Sequence, residues 1–375
     1  MLELIAVESP LVLRKHVEAW ECLARNAMEP NPFYEPWLLL PAIESFMRND
    51  HLVFVLIYAA IHGRASQLCA FFPLLRCYHY RGLPVRYLRI WRHLHCFLCT
   101  PLLRRPYAKE CLALFHDWLA DEGRASMMEW GTIAADGPFY RTLLETVQST
   151  GRRSYLTHRY ERAMLRPRPN ADLYIREALS KKTVIDLRRL EKRLGELGEL
   201  RYSTLKPGAA AEPWLEAFLK LEASGWKGQQ GSAFDSSEEG RRFFYSIALR
   251  GAQRGQLMML ALELNDRPIA MKCNFLAQNG GYTFKIAYDE RYARYSPGML
   301  LELENIREFH RRADLQWMDS CAEADHPMMN RIWLDRRPIA KLLTATGRPA
   351  SELLVSSLPV LKRVANQVRA AFPVG

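Results

Sequence analysis

Residues 282–301 read YTFKIAYDERYARYSPGMLL, and the reading of this stretch decides the fold. A β-rich run enters a loop carrying Arg291 and Arg294, then passes through Pro297-Gly298 straight into helix-forming sequence. A strand-loop-helix junction of this kind presents backbone N–H groups and the positive end of a helix dipole to an anion, and a glycine lets the anion come close. A pyrophosphate would suit it. A surface turn ahead of a helix is the plainer reading, and generic chemistry does not separate the two.

Working outward, the spacing predicts a helix over Gly298 to Arg311, a strand over Leu315 to Asp319, and a mostly helical segment from Met328 to Leu343, interrupted near Pro338. Upstream, Gln256 to Leu264 and Pro268 to Leu276 flank the turn Asn265-Asp266-Arg267 and read as a hairpin feeding the strand Gly281 to Tyr288. The same order occurs in the first half. Leu52 to Ala60 and Gln67 to Leu75 flank turn residues His62 to Ser66, Val85 to Trp91 makes a third strand, and Tyr107 to Asp121 a helix. Ser126 to Trp130 then reads as a strand and Pro138 to Thr150 as a helix with proline in its first turn. Ahead of them lie helical spacing at Leu11, Val12, Trp20 and Leu23 and a turn rich in proline at Pro30, Pro32 and Pro36. No residue-level repeat accompanies the repeated order. The stretch Arg166-Pro167-Arg168-Pro169-Asn170 disfavours helix and favours solvent, which sets the boundary between two mixed α/β domains, 1–165 and 171–350, with 351–375 as a helical tail. Lys181 to Gly195 follows the boundary as an amphipathic basic helix with Val184, Leu187, Leu190 and Leu194 on one face. Packing of that stripe on the domain is the plainer reading; a membrane or nucleic-acid contact is the other.

The chain has 375 residues, 49% of them hydrophobic and 25% charged, the balance of a globular protein with room for two cores. Met1 to Pro10 lacks a basic start followed by an apolar run, and the apolar run Leu52 to Ile61 is too short for a bilayer, which takes about 20 residues. A cytoplasmic protein without a transmembrane segment is expected, its eight scattered cysteines reduced. The formal charge of +11 suits an anionic partner. Between Arg76 and Lys109 there are eight Lys or Arg and no Asp or Glu, interleaved with Tyr78, Tyr80, Tyr87 and Trp91. No nucleic-acid-binding signature accompanies them, so a solvated basic face is the reading and nucleic acid is not an expected partner; peripheral membrane contact stays open.

Several motifs carry a resemblance. Gly225-Trp226-Lys227-Gly228-Gln229-Gln230-Gly231, Tyr288-Asp289-Glu290 with Ser296-Pro297-Gly298, and Asp319-Ser320-Cys321 with His326-Pro327-Met328 resemble the CelD-like acetyltransferases of the GNAT superfamily. Trp37 and Asn31-Pro32-Phe33-Tyr34 resemble that family's N-terminal part. The family is related to the Fem-type peptidyltransferases, which pair two GNAT domains. The resemblance implies an α/β protein with mixed α+β sheets in two tandem GNAT-like domains, and an acyl-CoA-dependent N- or O-acyltransferase of the kind associated with polysaccharide or cell-envelope biosynthesis. It makes 291–298 the acyl-CoA pyrophosphate loop, with Arg291, Arg294, Tyr295, Ser296, Gly298 and Met299 as binding residues for acetyl-CoA or a longer acyl-CoA. GNAT loops usually hold two closely spaced glycines, and this one holds only Gly298. The loop from Arg92 to Arg105 in the first half has no glycine, which makes the N-terminal domain a degenerate copy that shapes the acceptor cleft.

Acyl transfer to an amine or hydroxyl needs a route for the acceptor's proton and donors for the developing oxyanion. Asp319, closing the strand after the cofactor helix, is the expected acceptor-binding residue or base, with a loop-capping carboxylate as the plainer reading. His326 is the other candidate base. Lys285 and Tyr288 stand on opposite faces of a regular strand, so one of them faces the cleft; the resemblance implies that Tyr288 protonates the departing thiolate, with a packed aromatic as the plainer reading. Trp226 and Lys227 read as an exposed loop closing over acceptor or acyl chain. Neither Cys273 nor Cys321 has a nucleophile's setting, so transfer is expected to be direct, within a ternary complex. His93-Leu94-His95-Cys96-Phe97-Leu98-Cys99 has metal-capable side chains without a second pair at zinc spacing, and no metal is expected. No Walker loop, dinucleotide fingerprint or Gly-x-Ser-x-Gly elbow occurs. The alternatives are a Fem-like transferase using aminoacyl-tRNA and a non-catalytic scaffold of a polysaccharide assembly.

Overall fold

The computed structural model describes residues 1–47, 50–61, 64–121 and 125–371. In chain order the first half contains β1 (Leu2–Val7), α1 (Pro10–Leu13), α2 (Val17–Arg25), α3 (Pro36–Phe46), β2 (Leu52–Ile61), β3 (Arg64–Cys77), β4 (Tyr87–Ile90), β5 (Leu102–Leu103), α4 (Ala108–Ala120), β6 (Met127–Ala134), α5 (Pro138–Ser149) and β7 (Ser154–Leu165). The second contains α6 (Ala171–Ala178), α7 (Lys181–Gly195), β8 (Leu200–Thr204), α8 (Glu212–Ser224), α9 (Trp226–Gln229), α10 (Glu238–Gln253), β9 (Leu257–Leu264), β10 (Arg267–Ala277), β11 (Gly280–Tyr288), α11 (Pro297–Arg311), β12 (Trp317–Asp319), α12 (Pro327–Ile332), β13 (Asp335–Ala345) and α13 (Pro349–Ala371). The order hairpin, strand, helix, strand, helix, strand runs from β2 to β7 and again from β9 to β13, as the tandem reading expects.

The compact units differ from a single cut at 166–170. Unit 1 is Met1–Pro36, Arg48–Tyr160 and Pro338–Gly375, and unit 2 is Trp37–Met47 and Glu161–Arg337. Contacts decide this, not linker composition. Trp37 packs edge-on against Phe275 at 5.3 Å and Phe46 against Phe243 at 4.7 Å, which assigns the body of α3 to unit 2. Most of β13 joins unit 1 by pairing antiparallel with β6, from Ile339↔Ala134 to Ala345↔Met127. The helix expected over Met328 to Leu343 is therefore corrected: it stops at Ile332, and a strand begins at Asp335. The buried run around Ile339, Ala340, Leu342 and Leu343 mimics a helical stripe because both faces of this strand are covered.

Unit 1 orders its strands β1-β2-β3-β4-β6-β13-β7, with β5 on β3. Val53, Phe54, Val55, Leu56 and Ile57 are all fully buried, the signature of a central strand. The turn expected at His62 to Ser66 includes His62 and Gly63, which lie outside the described residues. Of the four residues expected to form the first helical stripe, Trp20 and Leu23 are buried while Leu11 and Val12 are exposed on the separate turn α1.

In unit 2 the order is β7-β12-β11-β10-β9-β8. Asn265 and Asp266 both adopt positive φ, +50° and +59°, which gives the two-residue turn that matches the twist of the β9–β10 hairpin. On one face of this sheet Met258, Leu260 and Leu262 pack with Leu187 and Leu194 of α7 and Leu300, Leu301 and Ile306 of α11. The other face is aromatic: Phe234 stacks on Phe244 at 4.9 Å and on Phe284 at 5.9 Å, and Phe275 lies 4.7 Å from Phe284. α11 is thus held on one side of β11 and α8 on the other.

Candidate active site

Two features open unit 2 at the end of β11. Parallel pairing between β11 and β12 runs only from Gly280↔Trp317 to Tyr282↔Asp319, so the edge of β11 from Thr283 onward has no β12 partner. A bulge sits at the same level: Cys273 pairs with Lys285 and Asn274 with Thr283, which makes Phe284 the extra residue of the bulge. Such bulges re-aim side chains and occur beside active sites. Here they leave a cavity of about 260 Å³ lined by Glu222, Gly225, Ile286, Tyr288, Gly298 and His326 together with Leu221, Ala287 and Met328.

The floor of the cavity is the start of α11. Ser296 caps it in the left-handed region, at φ +54°, and its carbonyl accepts the N–H groups of Met299 and Leu300. Pro297 has no N–H, and the Gly298 N–H, in the first turn at the helix's positive end, has no acceptor among the described residues. A Cβ on Gly298 would meet Tyr288 Cδ1 at 3.6 Å and Ile286 Cδ1 at 3.9 Å, ordinary contact, so the glycine keeps a cradle open that a branched side chain would fill.

The expected cations do not point there. Arg291 is exposed and grips its neighbour Asp289, Nη2 to Oδ2 at 2.6 Å and Nε to Oδ1 at 3.0 Å; that hydrogen-bonded ion pair pulls the Asp289 carboxyl below its ordinary value. Arg294 lies over the ring of Tyr295 at 4.7 Å and donates to its hydroxyl at 2.8 Å. Tyr295 is buried in the core beside α7 and Met299 packs against that core. Of the six residues expected to bind pyrophosphate, Gly298 alone lines the cavity.

Asp319 sits apart from the cavity, fully buried between two arginines. Its Oδ1 lies 2.7 Å from Arg162 Nε, its Oδ2 accepts from Arg162 Nη2 at 2.7 Å and Arg337 Nη1 at 2.9 Å, and Oδ1 also accepts the Cys321 N–H at 2.8 Å. Burial alone would raise its pKa; the two guanidiniums outweigh burial and hold the carboxyl below its ordinary value. Arg337 in turn covers the Trp317 ring at 4.8 Å. Away from the cavity and gripped by two buried guanidiniums, Asp319 is poorly placed to take a proton from an acceptor there, which weighs against the expected base role.

His326 does line the cavity, but its ring is committed. Nδ1 accepts the Met329 N–H at 3.3 Å as the cap of α12, so in the neutral ring the proton is on Nε2 and no lone pair remains for the acceptor's proton. Lys285 and Tyr288 stand on opposite faces of β11, as expected: Tyr288 faces α11 beside Gly298, whereas Lys285 Nζ lies 4.8 Å above the Phe234 ring and 3.8 Å from Glu222 Oε1. Trp226 and Lys227 open the one-turn helix α9 rather than a loop, and their side chains lie outside the described residues. Burial pushes the Cys273 and Cys321 thiols well up, which keeps both protonated.

Two groups escaped the sequence reading. Glu222 of α8 is buried at the cavity wall, its Oε2 accepting the Phe234 N–H at 2.9 Å. Between β10 and α11, Lys272 Nζ lies 2.6 Å from Glu302 Oε2, both fully buried. Glu302 Oε1 also accepts from Asn305 Nδ2 and Trp333 Nε1, each at 3.0 Å, and Asn305 Oδ1 accepts from Asn274 Nδ2 at 2.9 Å. This network fixes α11, and with it Gly298, against the sheet. The readable signal was a charge on an apolar stripe: Glu222 continues the spacing of Leu215, Phe218 and Leu219.

The acetyltransferase (GNAT) domain family model matches residues 181–326. Unit 2 carries a GNAT acyltransferase domain. The crystal structure of FemX is similar to this chain with a TM-score of 0.55 at 10% identity, covering 88% of this chain and 95% of that one. A conserved protein of unknown function from Bacteroides thetaiotaomicron is similar at a TM-score of 0.52 and 11% identity, over 92% and 99%. The C-terminal domain of a putative lysylphosphatidylglycerol synthetase from Agrobacterium fabrum gives 0.51 and 12%, over 93% and 96%. At these identities the likeness is one of fold. No curated protein sequence matches. In the GNAT domain, the strand before the Arg291 loop is β11 and the helix after it is α11, so the family match and the cavity fall on the same elements.

Proposed function

We propose that the GNAT domain transfers an acyl group from acetyl-CoA or a longer acyl-CoA directly to an amine or hydroxyl acceptor, within a ternary complex, in polysaccharide or cell-envelope biosynthesis. The observation that carries the reading is the single cavity where the β11 edge, the Gly298 N–H, Tyr288, His326 and Glu222 converge. The acyl-CoA, when bound, supplies a thioester carbonyl as electrophile. Gly298 leaves room for it and offers one N–H, and the Nε2–H of His326 is a second donor for charge developing on oxygen. Glu222 takes the place first given to Asp319 and His326: it is the cavity carboxylate that receives the acceptor's proton, and Lys285 across from it holds it in place. As the new bond to nitrogen or oxygen forms and the carbon–sulfur bond breaks, the Tyr288 hydroxyl gives a proton to the departing sulfur and is reprotonated from solvent. Unit 1, whose Arg92 to Arg105 loop has no glycine, is the degenerate copy that takes no donor.

The test is a thermal-shift titration of acetyl-, butyryl- and palmitoyl-CoA against the full chain, with uncharged tRNA in parallel. A ligand at 100 times its dissociation constant stabilises by about 2.7 kcal/mol. Stabilisation by an acyl-CoA that is lost in Gly298→Val supports the reading. No shift with any acyl-CoA, beside salt-sensitive tRNA binding, refutes the donor assignment.

A further inference from the structure

A second cavity, of about 430 Å³, lies in unit 2 between α6, α7 and α11 and shares no residue with the catalytic one. Its floor is aliphatic: Ile175, Leu179, Val184, Leu187, Leu300 and Leu303. The rim is cationic, with Arg176, Lys181, Arg188 and Arg307 against the two acids Asp172 and Glu191. Glu191 is occupied by the Tyr202 hydroxyl at 2.7 Å and Arg307 by Glu304 at 3.1 Å. Arg176, Lys181 and Arg188 form no ion pair among the described residues.

The surroundings extend this pattern outward. Among the described residues, the exposed large hydrophobics of unit 2 are Leu173, Ile185 and Leu197, all on or next to α6 and α7, and Ile185 at the groove's lip is 64% exposed. The sequence of α7, KKTVIDLRRLEKRLG, carries six basic and two acidic residues. An apolar slot open to solvent, a lip of exposed aliphatic side chains and a surplus of positive charge on the same helix make an interface for a surface that is itself apolar beneath and anionic above.

We propose that the α6–α7–α11 groove binds an anionic phospholipid in the face of a membrane, its acyl chain against Leu300 and Leu303 and its phosphate among Arg176, Lys181 and Arg188. The opposite charges of rim and headgroup favour this occupant over a neutral apolar peptide. Because the floor of the groove includes α11, the same helix would face lipid and carry Gly298 at its first turn.

The experiment is co-sedimentation of the full chain with vesicles of phosphatidylglycerol and phosphatidylcholine, and with vesicles of phosphatidylcholine alone. Binding to the anionic vesicles only is expected, falling as salt rises because exposed charges are screened. Each Lys or Arg near an anionic surface contributes about 1 kcal/mol, so Lys181→Ala with Arg188→Ala should lower partitioning about thirty-fold. Ile185→Gln, at an exposed position that leaves the fold undisturbed, should lower it as well. Arg81→Ala with Arg86→Ala in unit 1 should leave it unchanged. Equal binding to neutral vesicles, or anionic-vesicle binding indifferent to both groove variants, overturns the proposal. So does release of the protein from vesicles by saturating coenzyme A, which would give the groove to the nucleotide end of the donor, or a self-association in light scattering that only the groove variants abolish.

Discussion

Asp319→Asn separates an architectural carboxylate from a catalytic one. In the native protein two guanidiniums, Arg162 and Arg337, are almost wholly withdrawn from water, and the Asp319 carboxylate is their shared counter-charge at 2.7–2.9 Å. The amide keeps the shape and can still accept one guanidinium N–H, but it removes the negative charge and points its own NH₂ at a cation. Breaking a buried ion pair by neutralising one partner typically costs about 3–5 kcal/mol, because the remaining charge stays buried without compensation. For a unit of this size that corresponds to a fall in Tm of roughly 6–20 °C. Acid should act in the same direction. The folded-state pKa is depressed, so the contribution is fully present above the unfolded carboxyl's ordinary value and is lost as pH falls through the folded one, below about pH 4. The assay is a thermal melt of Asp319→Asn beside the native chain at pH 7 and pH 3.5, with acyl-CoA binding and turnover measured per folded molecule at a temperature where both are folded. The expected result is a large loss of Tm at pH 7, a smaller gap at pH 3.5, and turnover within a few-fold of native. An unchanged Tm with turnover down a hundredfold or more would refute the structural reading and restore Asp319 as a base.

Gly298→Ala places its Cβ in ordinary contact with Tyr288 and Ile286 and should keep both fold and acyl-CoA affinity within a few-fold, whereas Gly298→Val should abolish the acyl-CoA thermal shift while leaving the apo Tm intact; equal affinities in the two variants would remove the cavity from donor binding. Glu222→Gln retains an oxygen for the Phe234 N–H but loses the proton acceptor, so transfer should slow by about a hundredfold to ten-thousandfold with acyl-CoA binding retained, and near-native turnover would exclude Glu222 as base. In unit 1, His116 is held neutral: its Nδ1 lies 2.8 Å from the Leu112 carbonyl, its Nε2 lies 3.2 Å from the Thr344 hydroxyl, and that hydroxyl oxygen accepts from Trp130 Nε1 at 3.0 Å. Burial pushes its pKa down to about 4 while the unfolded ring titrates near 6.5, so the unfolded state binds more protons in between and stability should fall by about 3 kcal/mol on acidification through that range. His116→Gln should flatten this slope in a melt series from pH 7 to 4.

The parts of the fold that could be read were those where local chemistry and tertiary contact agree. Lys181–Gly195 is helical over the residues its apolar stripe marks out, because that stripe meets one core and nothing competes for it. The β9–β10 hairpin followed from Asn265-Asp266, residues that tolerate the left-handed turn at low cost. β13 was read as helix because a strand covered on both faces loses the period of two that identifies it. The exchange that gives α3 to unit 2 and β13 to unit 1 depends on partners hundreds of residues away, such as Trp37 for Phe275 and Ile339 for Ala134, and nothing local to either segment records it.

The site was legible as a place and not as a set of roles. The 282–301 stretch located the cavity because backbone features, a strand end, a proline and a glycine, build it. The roles depended on which charge meets which. Arg291 and Arg294 look like anion ligands from their spacing, but Asp289 and Tyr295 beside them satisfy both locally. Asp319 looks like a base at a strand end, but its partners, Arg162 on β7 and Arg337 on β13, come from strands that sequence distance hides. Glu222 was not singled out by the sequence and is cavity wall. A charged residue interrupting a buried stripe must find a partner or a ligand, since an uncompensated carboxylate in the interior is too costly to persist. Applied to the apolar faces of α8, α11 and β10, that rule draws attention to Glu222, Glu302 and Lys272. Two of the three neutralise each other at 2.6 Å, which leaves Glu222, with Lys285 at 3.8 Å, as the member that opens onto the cavity.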